Sequence, residues 1–333
     1  MWSLLNSSGI PGVTPPDLLI FFHIPKTGGT TMEGPFEHNF PGKVFNLRCG
    51  PTASALLVRT TDEIAARFRQ LSPERRRDMR FVVGNHVSMD VDRVFERPSK
   101  FFTIVREPVD RAISSFFYLR FEANQPGMEA WLPIYRFIKD MTLDQYLDSG
   151  IGLDVHNQQV RMLSGCRDLD LPWNTDGRPI NVPPVERRHL DMAKRNIEER
   201  FLIAAPLNQF AAVVWYLKRL YAMPLHRCFH IKRRENATRP APEAISTSTR
   251  RRLIEWNQYD LELYDWVEAR FASQLAPMQP EFDRQVRQFA AANDLVQRVN
   301  SALPRGIRNI LSHAIFPKYP EQSADVAIPN STT

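Results

Sequence analysis

Eight residues near the start of the chain, Asp17 to Ile24 (DLLIFFHI), run directly into the turn Pro25-Lys26-Thr27-Gly28-Gly29-Thr30-Thr31. The run is a short apolar stretch of β-formers behind a proline-rich lead, the pattern of a buried strand. Such strands belong in a parallel sheet covered by helices on both faces. The turn narrows the choice further. Paired glycines let the backbone reverse tightly and aim its N–H groups at one point. A helix starting there adds a field that favours an anion. With hydroxyls from the threonines and the Lys26 ammonium, the segment forms a cradle for a phosphate-like group. It is not a Walker A sequence, because Lys26 precedes the glycines. The alternative is a plain Gly-Gly connection with Lys26 solvated.

The rest of the chain fits an alternating pattern. Lys43 to Leu47, Arg80 to Val83, Lys100 to Val105 and Arg200 to Ala205 read as further strands. Thr60 to Leu71, with Thr60 and Glu63 placed as a capping box, reads as a helix. So do Pro108 to about Phe121 and Pro206 to Tyr221. The fold class is therefore α/β: a P-loop-like three-layer fold with a central, mostly parallel sheet flanked by helices, a helical insertion and a helical C-terminal extension. The expected organisation is a flexible N-terminus over 1–16, a main domain over 17–275 with the insertion at 122–184 near the acceptor site, the extension over 276–319, and a disordered tail over 320–333. Helices are expected within the insertion at Thr142 to Leu147 and His156 to Leu163. Thr249 to Gln274 reads as one long helix and Glu281 to Val299 as another. Gly34-Pro35 is expected to cut short the helix after the phosphate-binding turn.

Composition excludes more than it assigns. The formal net charge of +6 fits an anionic partner. Cys49, Cys166 and Cys228 form no CxxC pair, which argues against a disulfide framework or a thiolate zinc site. No His/Asp/Glu set has convincing ligand spacing, so no metal is expected. Neither a secretion signal nor a membrane-length apolar run is seen, so the expected location is cytoplasmic.

A second segment carries chemistry. Phe101 to Arg120 reads FFTIVREPVDRAISSFFYLR. Arg106 stands just past a strand, at the edge where ligands of open α/β sheets collect. Ser114 lies two helical turns beyond, and the fork of Arg suits a terminal phosphate. The alternative is an Arg106 paired with Glu107 or Asp110. Taken together, PKTGGTT after a strand and VREPVDRAISSFF further on resemble the sulfotransferases that use 3′-phosphoadenosine 5′-phosphosulfate (PAPS). The likeness is to the carbohydrate 2-O-sulfotransferase branch (heparan and dermatan uronyl types) and its bacterial relatives. It spans about residues 17 to 275 and includes Val83-Gly84-Asn85-His86-Val87-Ser88, Asn157-Gln158-Gln159 with Leu163 to Cys166, and Ile231 to Pro240.

The resemblance implies a set of roles. Lys26, Thr27, Gly28, Gly29, Thr30 and Thr31 would hold the 5′-phosphosulfate end of PAPS, with Lys26 neutralising the leaving oxygen. Arg106 and Ser114 would hold the 3′-phosphate. The basic loop with Lys232, Arg233, Asn236 and Thr238 would close over the nucleotide, which leaves as the 3′,5′-bisphosphate. His86 matches the family's general base, and Glu33 is the runner-up. Gly84 departs from the pattern, because the family often has a second histidine there. The acceptor would be a hydroxylated glycan or glycolipid, with Trp131, Tyr135, Arg136, Trp173 and Arg178 of the insertion as candidate contacts. Nucleic acid is not an expected partner. The basic stretch from Arg298 to Lys318 allows a peripheral membrane contact. The rival readings are a P-loop-type nucleotide kinase and a non-enzymatic basic protein that binds nucleic acid or membrane.

Overall fold

The apolar run at the start of the chain becomes the central strand of a parallel sheet. In the computed structural model, which describes residues 9–47, 61–84, 88–126, 135–150, 155–169, 182–231 and 244–304, β1 is Leu18–Phe21 and is buried at every position. The other strands are β2 (Val44–Asn46), β3 (Phe81–Val83), β4 (Ser99–Val105) and β5 (Phe201–Pro206), in the order β2-β3-β1-β4-β5. Every pairing is parallel. The helices are α1 (Gly29–Asn39), α2 (Thr61–Arg69), α3 (Pro73–Asp78), α4 (Pro108–Ala123), α5 (Tyr135–Ile138), α6 (Leu143–Ser149), α7 (Gln158–Ser164), α8 (Arg187–Arg200), α9 (Phe210–Leu220), α10 (Thr247–Trp256), α11 (Gln258–Leu275) and α12 (Glu281–Ala302).

Alternation along β1 divides the interior into two layers. Leu18 and Ile20 face one core with Ile64, Leu190, Ile197 and Leu263, while Leu19 and Phe21 face another with Met32, Phe36, Trp215 and Phe289. A satellite core joins α4, α6 and α10 through Ile113, Phe116, Tyr146 and Leu253. The extension helix α12 belongs to the second of these cores, where Trp215 Nε1 also donates to Gln285 Oε1 at 3.0 Å. Among the described residues no helix is long and apolar enough to cross a membrane.

Three expectations are corrected. Helix α1 does not stop at Pro35 but continues to Asn39. Proline forfeits one backbone bond there, and packing outweighs it. The Phe36 ring packs, tilted, at 4.7 Å from Phe81 and 5.4 Å from Phe102, and a buried Phe contributes roughly 2–3 kcal/mol. Pro206 ends β5, and α9 begins only at Phe210 after a 3-10 turn over Leu207–Gln209. The long helix expected over Thr249 to Gln274 is two helices, α10 and α11, broken at Asn257.

The break at Asn257 has a clear cause. Its buried Nδ2 donates to Val155 O at 2.7 Å and to Leu253 O at 2.8 Å, and its Oδ1 accepts the Asn157 N–H at 3.0 Å. Asn157 Oδ1 in turn accepts the N–H groups of Tyr259 and Asp260, both at 3.0 Å, capping α11. Asp260 answers from the other side: its carboxylate accepts from Gln159 N at 3.0 Å and Val160 N at 2.7 Å, capping α7. Each helix start therefore satisfies the other's exposed amides.

Replacing Asn257 with Ala strands several buried polar groups at once. Asn257→Ala is expected to lower stability by about 2–3 kcal/mol in urea unfolding. A loss below about 0.5 kcal/mol would show that the interlock is not a stabilising element.

Candidate active site

The sheet places three segments side by side. β3, β1 and β4 are neighbours, so Gly84, the Gly28-Gly29 turn and Arg106 all follow strand ends at the same edge. In the turn, Lys26 and Gly28 adopt left-handed backbone, with φ of 70° and 85°. Thr27 is fully buried and its hydroxyl donates to Ile24 O at 2.8 Å, so that side chain shapes the turn itself. Helix α1 closes on the Gly28 carbonyl, which accepts from Thr31 N at 3.0 Å and Met32 N at 3.2 Å. The N-terminal end of α1, where a helix's dipole favours an anion, therefore opens at this turn.

Both glycines are dictated by neighbours. At Gly28 the backbone is left-handed, and an added Cβ would lie 2.8 Å from Leu207 Cδ1. At Gly29 a Cβ would fall 2.0 Å from His23 Nε2. The Nε2 side of the His23 ring therefore presses against the turn. It stacks at 5.1 Å on Phe21, and its Nδ1 is 3.7 Å from Glu33 Oε1. Both His23 and Glu33 are buried, Glu33 to 1% exposure.

Arg106 joins this turn directly. Its Nη1 donates to Lys26 O at 2.9 Å. Its other donors, Nε and Nη2, hold Asp110 Oδ2 at 2.5 Å. Of the two carboxylates the sequence set beside Arg106, Asp110 pairs with it and Glu107 caps α4, accepting from Val109 N at 3.1 Å and Asp110 N at 2.6 Å. Lys26 Nζ sits 3.7 Å above the Tyr118 ring. Asp110, Ser114 and Tyr118 are spaced four apart on α4, so they share one helix face. Contacts of the outer two to Arg106 and Lys26 put buried Ser114 on the side facing the turn.

The Arg106 peptide is gripped from α7. Gln159 Oε1 accepts the Arg106 N–H and Gln159 Nε2 donates to the Arg106 carbonyl, each at 2.9 Å. Burial pushes the Asp260 carboxyl behind it up, while Arg111, fully buried, and the amides of Val160 and Gln159 pull it down.

The candidate residues thus divide. Lys26, Thr27, Gly28, Gly29, Thr30 and Thr31 form one continuous turn and helix start, and Arg106 with Ser114 faces it. His86 lies outside the described residues, as do Lys232, Arg233, Asn236 and Thr238, and also Trp131, Trp173 and Arg178. The Gly84 departure has a local cause: a Cβ there would lie 2.7 Å from Leu47 Cβ and 3.2 Å from its Cα. A histidine does not fit at that position. Tyr118 was readable only as the residue one turn beyond Ser114, and nothing in the sequence tied His23 to Gly29.

One cluster invites a metal. Cys166, Asp168 and His189 bring ligand atoms within 4.8 Å of one another. His189 Nδ1, however, accepts the Glu186 N–H at 2.8 Å, which leaves the ring proton of the neutral tautomer on Nε2. That nitrogen faces Asp168 Oδ2 at 3.2 Å and has no lone pair to offer. Arg188 holds the same carboxylate at 2.6 Å and pulls the Asp168 carboxyl down. The donor set fits a hydrogen-bonded helix cap, not a metal.

Residues 12–163 match the family described as "Sulfotransferase family". Across most of its length the chain is also similar to heparan-sulfate 6-O-sulfotransferases. It is 25% identical over 329 residues to heparan-sulfate 6-O-sulfotransferase 1 of Homo sapiens, covering 87% of this chain and 74% of that protein. It is 26% identical over 294 residues to heparan-sulfate 6-O-sulfotransferase 1-B of Danio rerio, covering 77% and 66%. With heparan-sulfate 6-O-sulfotransferase 2 of Gallus gallus the values are 27% over 305 residues, covering 81% and 71%.

The contact between His23 and Gly29 is open to a double-mutant cycle. Gly29→Ala and His23→Ala should each destabilise, and the double variant should lose less than their sum, with a coupling of about 1–3 kcal/mol. Additive losses in thermal or urea unfolding would mean that the ring does not press on the turn.

Proposed function

We propose that this chain, carrying a sulfotransferase family domain over residues 12–163, transfers a sulfuryl group from PAPS to a hydroxyl of a carbohydrate chain. The observation that carries the reading is the 2.9 Å bond from Arg106 Nη1 to Lys26 O. It joins two segments whose sequences suit anions, far apart in the chain, at the ends of adjacent strands. A nucleotide with phosphates at both ends of its ribose calls for such a pair of sites.

The residues fit the donor. The left-handed Gly28 turns the backbone into the start of α1, and Gly29 lets His23 pack against that turn. Lys26, Thr27, Gly28, Gly29, Thr30 and Thr31 would hold the phosphosulfate end, and Arg106 with Ser114 the 3′-phosphate. Lys232, Arg233, Asn236 and Thr238 would complete the hold on the nucleotide. When bound, PAPS supplies the sulfuryl group and departs as the 3′,5′-bisphosphate. Lys26 provides positive charge where the leaving oxygen gains negative charge, and the turn's amides do the same without reorganising. Tyr118 positions the ammonium from below.

The acceptor hydroxyl must give up a proton as it attacks. His86 follows β3, next to β1 and its turn, and a histidine suits this task near neutral pH. The burial of Glu33 against His23 supports His86 over Glu33, because a base needs a path to the incoming hydroxyl. The matched relatives are named for 6-O transfer, whereas the motifs resemble the 2-O branch. The position of the new sulfate on the sugar, read by two-dimensional NMR of the product, decides between them.

Transfer of labelled sulfate from PAPS to a panel of uronic-acid-containing and neutral glycans tests the activity. Lys26→Ala and Arg106→Ala are each expected to weaken binding of the 3′,5′-bisphosphate by about tenfold or more. His86→Ala should keep that binding and lower kcat by about a hundredfold or more. Unchanged nucleotide affinity in both cation variants would remove the donor site, and full turnover in His86→Ala would remove the base.

A further inference from the structure

The arginines around the β2–β3 edge of the sheet fall into two groups. Arg67 donates to Asn46 O at 3.3 Å, Arg75 to Val44 O at 3.4 Å, and Arg97 to Arg77 O at 3.2 Å and Met79 O at 2.5 Å. These three secure the backbone of neighbouring segments. Arg69, Arg76 and Arg93 do not. They converge on a cleft of about 270 Å³ between α2 and the 3-10 turn Val91–Phe95, and among the described residues none of them makes an ion pair. Arg76 Nε is buried without a hydrogen-bond partner, and its guanidinium lies 5.9 Å above the Phe68 ring that floors the cleft. Three guanidinium groups around one cleft, with Glu96 the one carboxylate in its lining, favour an anionic ligand there.

The position of the cleft bears on what that ligand is. Thr61 forms one end of the lining. Its Oγ1 lies 3.2 Å from Ser88 Oγ and donates to Asp90 Oδ1 at 3.0 Å. Ser88 comes two residues after His86, so the cleft begins beside the segment assigned to acceptor activation.

We infer that this cleft is a second binding site for the acceptor, which holds a carboxylate- or sulfate-bearing sugar of the same chain some distance from the reacting hydroxyl. The inference rests on the sulfotransferase reading above. Arginine forks match the paired oxygens of carboxylate and sulfate groups, and the Phe68 ring offers an apolar face to a sugar's C–H side. The volume suits a charged sugar unit and exceeds what a single bound water needs. Glu96, which also lines the cleft, accepts hydroxyl hydrogen bonds from a sugar and disfavours the closely spaced phosphates of a nucleic acid.

The test uses the full chain with Arg69→Ala and Arg93→Ala combined. Both residues are exposed, and neither belongs to the donor pocket. The probes are a fluorescent polymer of alternating uronic acid and N-acetylglucosamine, a neutral dextran and single-stranded DNA. The variant should bind the acidic polymer about tenfold more weakly and with a flatter salt dependence. It should keep its affinity for the 3′,5′-bisphosphate, and KM for the acidic polymer should rise with kcat held within about twofold. Unchanged affinity for the acidic polymer overturns the inference. So does tighter, Arg69- and Arg93-dependent binding of single-stranded DNA at equal salt. If the wild-type chain transfers no sulfate yet binds the acidic polymer through these arginines, the cleft stands and the transfer reading fails. If it transfers sulfate but its polymer binding ignores them, the cleft alone fails.

Discussion

The parallel pairing of β1 with β4 is the constraint from which the site follows. Leu18 to Phe21 align with Ser99 to Phe102, so the chain leaves both strands in the same direction at one edge. Parallel strands buried on both faces hold their register tightly, since a one-residue slip would exchange the two cores. The distance between the Lys26 turn and Arg106 is therefore set by sheet geometry and not by the loops. The bond from Arg106 to the Lys26 carbonyl records that alignment. The sheet makes the two segments a pair.

Much of this was legible in the chain itself. Strands show as short apolar runs, and the β1 turn shows as a Gly-Gly step after one of them. What escaped were places where long-range packing overrules a local rule. Pro35 is a helix breaker by its own chemistry, yet Phe36 beside it is anchored between Phe81 and Phe102. Asn257 looks like an ordinary helical residue until Asn157 and Val155 appear beside it, a hundred residues away in sequence. In the site, Lys26, the glycines and Arg106 are readable because backbone shape and charge leave a signature. Gln159 and Tyr118 are not, because an amide or a phenol carries no signature until its partner is known.

The net charge of +6 is a poor guide to where positive potential lies. Many arginines here donate to backbone carbonyls or pair with carboxylates, as Arg200 does with Met89 O and Asp92. Arg161 donates to His156 O at 2.7 Å and Pro183 O at 2.5 Å, and burial pushes its guanidinium down to about 10. Such groups hold loops in place and contribute little field outside.

The interlock of α7 with α11 also bears on the order of events during synthesis. Helix α7 has only seven residues, too few to persist unaided in water, and its amides are answered by Asp260. A nascent chain that has just exposed Gln159 carries the Gly28-Gly29 turn and Arg106 but lacks the Asp260 cap that holds α7 behind Gln159. Only when the ribosome has released the start of α11 can that cap form. A product truncated before Asp260 would lack the carboxylate that caps α7 behind Gln159, and also the apolar residues of α11 and α12 that pack on both faces of the sheet.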